Sequence, residues 1–166
     1  MKKKLITTLK DKDFKNSTNN FFINLPNLNK KKNNFFYFNK RWRVSNKLLK
    51  DFEYLNHVYE KNLKMLSSRL NRYHSINYPI RYWRIIIGKW LYKIICCVYE
   101  RHNSILDIEK NFKKLTFEKY QYNYKDFIPY GIEDFHYIVG THSWNEYVYS
   151  EIITKCKIKN IKKKKI

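Results

Sequence analysis

Alanine is missing from this 166-residue chain altogether, and glycine, proline and cysteine occur only three times each. So little glycine and proline excludes collagen-like, linker-like and turn-dense all-β designs. The three cysteines, Cys96, Cys97 and Cys156, cannot all pair, and none has C-x-x-C or Cys/His zinc spacing. That usage fits a reduced, cytoplasmic protein. Acidic residues are scarce too: 14 Asp and Glu stand against 35 Lys and Arg, a formal charge of +21. No apolar run is long enough to span a bilayer, since Lys89 and Lys93 interrupt the most apolar stretch, Ile85 to Tyr99. Lys2-Lys3-Lys4 is followed only by Leu5-Ile6 before polar residues return, too short for a signal-peptide core.

Lys, Asn, Ile, Tyr and Phe dominate what is present, and all five can be spelled with A and T codons. Part of the positive charge therefore reflects coding bias. The field it creates still attracts nucleic acid, phosphorylated ligands or anionic membranes. Hydrophobic residues make up 43% and aromatics 18%, enough for a packed core and against wholesale disorder. The length predicts one domain, residues 1–156, followed by a basic mobile tail at 157–166 that carries six lysines.

The patterning predicts an α/β, helix-dominated fold. Residues 1–40 read as short strands (Leu5 to Thr8, Phe21 to Leu25, Phe35 to Phe38) between Asn/Lys-rich loops. From Ser45, a plausible N-cap, the residues Leu48, Phe52, Leu55, Tyr59, Leu63, Leu66, Leu70 and Tyr73 recur at helical spacing. They predict a long helix over 45–73, ended by Asn77-Tyr78-Pro79. A second helix over 80–103 follows, apolar on nearly every face and so expected to be buried. Ile105 to Lys114 suggests a short helix, Tyr120 to Gly140 a loop, and 144–156 a last helix.

Candidate chemistry concentrates in Arg81-Tyr82-Trp83-Arg84, with Gly88, Lys89 and Trp90 following. Arginine forks near a helix start can hold phosphate or carboxylate. Equally, Trp83 and Trp90 can be core while the arginines pair with acids such as Glu100 or Asp107. Gly88 costs a helix about 1 kcal/mol against alanine, which points to close packing or ligand approach there. His74, just before the helix break, suits a general base or a structural role. His57, His102, His136 and His142 form no metal pattern. Glu146, near Glu133-Asp134, offers acid/base chemistry or a plain structural charge. No nucleophile elbow or glycine-rich phosphate loop is present.

Several segments together are similar to one family. Leu70-Asn71 with His74, Arg81-Tyr82-Trp83-Arg84-Ile85-Ile86-Ile87-Gly88, Trp90-Leu91 and Tyr99-Glu100-Arg101 resemble motifs in transferases of bacterial O-antigen and surface-polysaccharide gene clusters. Leu5 to Thr8, Trp42, Trp144-Asn145 and Tyr149 to Ile153 extend the resemblance in the same order. Lys89 stands where the family usually has proline, and Arg43-Val44 where it has acids. The resemblance implies the N-terminal, acceptor-side lobe of a two-lobed (GT-B-like) glycosyltransferase, here a truncated or split member. It implies His74 as base, with Glu146 as a second catalytic candidate. Arg81, Tyr82, Trp83, Arg84, Gly88, Trp90, Arg101 and Asn145 would contact substrate. This lobe would need no metal or cofactor, and a nucleotide-sugar donor would bind to a C-terminal lobe on a separate chain. An anionic membrane surface or lipid-linked acceptor is the implied partner, which places the protein in the cytoplasm at the inner membrane. The competing expectation is a small basic nucleic-acid-binding protein, ribosomal or organellar, using lysine runs and aromatic stacking.

Overall fold

The computed structural model describes residues 3–6, 20–23, 36–38, 45–111, 115–119, 122–156, 158 and 161–165. Trp42, Arg43-Val44, Thr7-Thr8 and the side chain of Ser45 lie outside these described residues. Helices dominate: α1 (Ser45–His74), α2 (Ile80–Asn111), α3 (Ile132–Ile138) and α4 (His142–Lys155). The strands are β1 (Lys3–Ile6), β2 (Asn20–Ile23), β3 (Phe36–Phe38), β4 (Leu115–Lys119) and β5 (Ile161–Lys165). The chain divides into two compact units, residues 1–40 with 101–166, and residues 41–100.

The unit of residues 41–100 is an antiparallel helical hairpin. Partners descend along α1 as they ascend along α2: Asn71 meets Trp83, Glu60 meets Arg84, Tyr59 meets Tyr92, and Asp51 meets Tyr99. The seam is apolar, with Leu63, Trp83 and Leu91 buried and Tyr59, Leu66, Leu70, Ile76, Ile87, Trp90, Ile94 and Ile95 packed around them. Complete burial of Leu63 contributes about 2 kcal/mol. The helical stripe of α1 is buried or partly buried only from Leu55 to Leu70, for Leu48 and Phe52 are half exposed and Tyr73 is open.

The other unit holds a five-stranded sheet of order β3-β2-β1-β4-β5, parallel at every pairing. Leu5 lies opposite Phe117, and both are buried. Leu115 and Phe117, two apart, turn to the same buried face. Ile105 and Ile108 of α2, Phe135 of α3, and Trp144, Tyr149, Ile152 and Ile153 of α4 are also buried here.

Three expectations change. The second helix does not stop at Asn103 but continues to Asn111, absorbing most of the short helix expected from Ile105. No proline or glycine lies between Gly88 and Asn111 to end it. The loop expected over 120–140 contains a 3₁₀ turn, Tyr124–Phe127, whose Lys125 amide is capped by the Asn123 side chain, and then α3. Asp134 accepts the Tyr130 amide and fixes the entry to α3. Finally, Ile161–Lys165, placed above in the basic tail, pairs with β4 as a strand.

The α1–α2 turn carries one local conflict. Ser75 has φ of 54°, the left-handed region that side chains disfavour. Its amide reaches the Arg72 carbonyl and the Ile76 amide reaches that of Asn71, so α1 ends in a Schellman motif. Ile76 and Leu70 both pack on the Leu63–Trp83–Leu91 cluster beside it. Ser75→Gly should therefore raise unfolding free energy by about 1 kcal/mol in urea titration. A loss of stability would show that the serine side chain matters more than backbone strain.

Candidate functional site

The expected site residues fall into two groups, one in each unit. At the α1–α2 turn, one carboxamide organises the backbone. Asn71 Oδ1 accepts from the Trp83 indole N–H at 2.8 Å and from the Tyr78 amide at 3.2 Å. Its Nδ2 donates to the Tyr78 carbonyl at 2.8 Å. The helix end, the loop and a buried tryptophan are thus locked together, and Trp83 is core rather than an open contact surface. His74 lies nearly parallel to the Trp83 ring, with centroids 6.2 Å apart, and meets Tyr73 edge-on at 4.9 Å. Tyr78 and Tyr82 stack at 4.3 Å, and Tyr82 meets Trp83 at 5.2 Å. Four exposed rings therefore surround one buried ring. Arg81 is exposed among them and makes no hydrogen bond or ion pair with another described residue.

Arg84 is differently placed. It donates two hydrogen bonds to the Glu60 carboxylate, at 2.5 and 2.8 Å, and its guanidinium lies 5.7 Å from the Tyr59 ring. Its acid is Glu60 on the neighbouring helix, not Glu100 or Asp107. These charge-assisted bonds hold the Glu60 carboxyl below its usual range and raise the Arg84 guanidinium further. Gly88 follows from the same crowding. A Cβ there would meet the Tyr59 hydroxyl at 2.6 Å, so the glycine serves helix packing. Trp90 packs against the Leu63–Trp83–Leu91 cluster.

Arg101, Asn145 and Glu146 assemble in the other unit, around the first turns of α4. Thr141 caps this helix through its hydroxyl, which accepts the Trp144 amide. The Arg101 Nε and Nη2 donate to Asn145 Oδ1 at 2.9 and 2.5 Å, and the guanidinium lies 5.0 Å from the Trp144 ring. Asn145 Nδ2 donates back to the carbonyls of Val139 and Thr141. Buried Glu146 accepts from the Tyr122 hydroxyl. Tyr122 comes three residues after β4 ends, which puts this group at the carboxyl end of the parallel sheet. In doubly wound sheets that end is where ligands bind. Ser150, one helical turn beyond Glu146, has a buried hydroxyl with no hydrogen-bond partner among the described residues.

Sequence spacing missed Glu60 and Tyr122, placed Tyr59 only in the helical stripe, and gave no role to Asn71 or Trp144. Nothing local marks Glu60 or Tyr122. Asn71 and Trp144 carry a signal of type: a polar amide beside a helix break, and an indole beside an amide. Among the described residues, no three His, Cys, Asp or Glu gather as a metal site, and none of the three cysteines forms a disulfide.

One double substitution and one pair of single substitutions test these assignments. Gly88→Ala alone should destabilise the protein, because the Tyr59 ring must move. In a Tyr59→Phe background the same change should stabilise it by about 1 kcal/mol, the helix gain of alanine over glycine. Equal effects in both backgrounds would mean that the Tyr59 hydroxyl does not set the need for glycine. Asn145→Asp, compared with Asn145→Ala, isolates the amide. The aspartate gains charge toward Arg101 but turns an oxygen on two carbonyls, so both variants should lose about 1–3 kcal/mol in denaturant melts. Wild-type stability in the aspartate variant would reduce Asn145 to an Arg101 partner.

No curated protein and no solved structure matches this chain. A family model described as LIC12162 family transferase matches residues 3–166, which takes in both groups of site residues and every strand and helix described above. By that match the chain belongs to the LIC12162 family of transferases.

Proposed function

We propose that this transferase family member acts in glycosyl transfer during O-antigen or surface-polysaccharide assembly, and that the α1–α2 turn receives the acceptor. The observation that carries the reading is the turn itself. Arg81 and His74 are exposed there on a platform made rigid by Asn71, with Tyr78 and Tyr82 stacked alongside. Aromatic faces suit the apolar faces of sugar rings, and a guanidinium fork suits a diphosphate. Arg84 contributes through its Glu60 pair, which fixes the start of α2, and Trp83 by holding His74 in place.

In the reaction, an acceptor hydroxyl attacks the anomeric carbon of a nucleotide-sugar donor. The new C–O bond forms as the bond from that carbon to the diphosphate oxygen breaks. The hydroxyl proton passes to an imidazole nitrogen of His74, and the nucleoside diphosphate leaves. The parallel strand order β3-β2-β1-β4-β5 supports a doubly wound lobe of the kind paired in two-lobed glycosyltransferases, with the donor on the second lobe. Glu146, Arg101 and Asn145 hold the carboxyl edge of this lobe in shape.

Calorimetric titration with a water-soluble prenyl-diphosphate sugar tests the reading. Arg81→Ala should weaken binding about tenfold or more, near 1.4 kcal/mol, with an unchanged melting temperature. Excess single-stranded RNA should fail to displace the ligand. Unchanged affinity in Arg81→Ala, or full displacement by RNA, would overturn the acceptor assignment.

A further inference from the structure

The outward side of α2 presents an apolar surface that is exposed among the described residues. Ile85 is 74% exposed and Ile86 58%. With Tyr82 and Lys89 they stand at positions i, i+3, i+4 and i+7, one stripe of the helix. Lys93 extends it by a further turn. The stripe lies opposite Trp83, Ile87 and Leu91, which face the seam with α1. From Ile80 to Tyr99 the sequence has four cations, Arg81, Arg84, Lys89 and Lys93, and no Asp or Glu. Of the α1 acids that reach this segment, Glu60 is bound to Arg84 and Asp51 accepts from the Tyr99 hydroxyl at the far end of the stripe.

We propose that this face seats the protein on an anionic lipid surface. Bare isoleucines bordered by lysine stems suit the boundary between acyl chains and headgroups. There the aliphatic side chains leave water while the ammonium groups stay at the anionic headgroups. Tyr82 fits the same depth, with an apolar ring and a polar tip. The chemistry disfavours the other occupants. A second copy docked face to face would set Lys89 and Lys93 against their own counterparts. Nucleic acid would pair with the cations but leave both isoleucines wet. No described helix is long and apolar enough to cross a membrane, so the contact is peripheral. This inference goes beyond the transfer reading and stands or falls separately from it.

Vesicle sedimentation near physiological salt tests the docking face. Wild-type protein should pellet with vesicles of equal phosphatidylglycerol and phosphatidylcholine, and far less with phosphatidylcholine alone. Ile85→Gln with Ile86→Gln, which alters no charge, should lower the partition at least tenfold while circular dichroism stays unchanged. Ile85→Ala with Ile86→Ala, favourable for helix formation, should show the same loss and serves if the glutamine pair folds poorly. Lys61→Gln with Lys64→Gln, two exposed charges on α1, should change binding by less than threefold. Undiminished binding of both isoleucine pairs would reduce the attraction to net charge and overturn the proposal. So would a dimer that becomes monomeric in either pair without any loss of vesicle binding.

Discussion

The Asn71 carboxamide and the Trp83 indole set the geometry of the helical hairpin. A tryptophan buried on all sides must still satisfy its N–H, and the Asn71 oxygen does so from the last turn of α1. The same side chain clamps both backbone groups of Tyr78, so the loop cannot swing while the indole is seated. Everything proposed for the turn depends on that closure. The Schellman ending of α1 brings Ile76 onto the core cluster that Leu70 also joins, and the clamp then delivers Pro79 to the start of α2. A left-handed serine is tolerated because these contacts over-determine the path around it.

A comparable economy holds the first turns of α4. Asn145 uses both ends of its amide at once, accepting from Arg101 and donating to two carbonyls that close the turn before the helix. Arg101 is thereby held over the Trp144 ring while its N–H groups bond the amide. The three residues act as one piece. Residue types that suggest ligand chemistry here fix one another first, and what they offer a ligand is a rigid edge beside Tyr122 and Glu146. Ser150 is the exception, a buried hydroxyl whose bonding capacity is left over.

How much of this was legible depended on sequence distance. The helices were readable because their signals are local: a 3.6-residue stripe through Leu55, Leu63 and Leu70, and a proline that stops it. The extent of α2 was misjudged because composition changed near Asn103 without any residue that breaks a helix. β4 was not foreseen at all. Five residues, Leu115 to Lys119, become a strand only through their parallel neighbours, and such pairing leaves little trace in a short window. The site pairings were harder still. Arg84 with Glu60, Arg101 with Asn145 and Tyr99 with Asp51 span 24, 44 and 48 residues. Motif likeness located Arg101 and Trp144-Asn145 as separate segments, and only the fold shows that each completes the other.

The apolar character of α2 separates coding bias from selection. An AT-rich codon pool supplies Lys and Asn as readily as Ile, so bias alone gives no reason for isoleucine at an exposed helix position. Between Lys61 and Arg72 the exposed positions of α1 are Lys61, Lys64, Ser68, Arg69 and Arg72, with Met65 the one apolar residue among them. The outward stripe of α2 holds Tyr82, Ile85 and Ile86 beside Lys89. One pool of codons has thus given this stretch of α1 a mostly polar back and set two adjacent exposed isoleucines on its neighbour. A helix apolar on both sides needs a partner on each. For α2, one partner is α1. The other must accept isoleucine side chains while welcoming lysines beside them, and that pair of demands describes the edge of an anionic bilayer better than water, a folded acidic surface or a second copy of the helix.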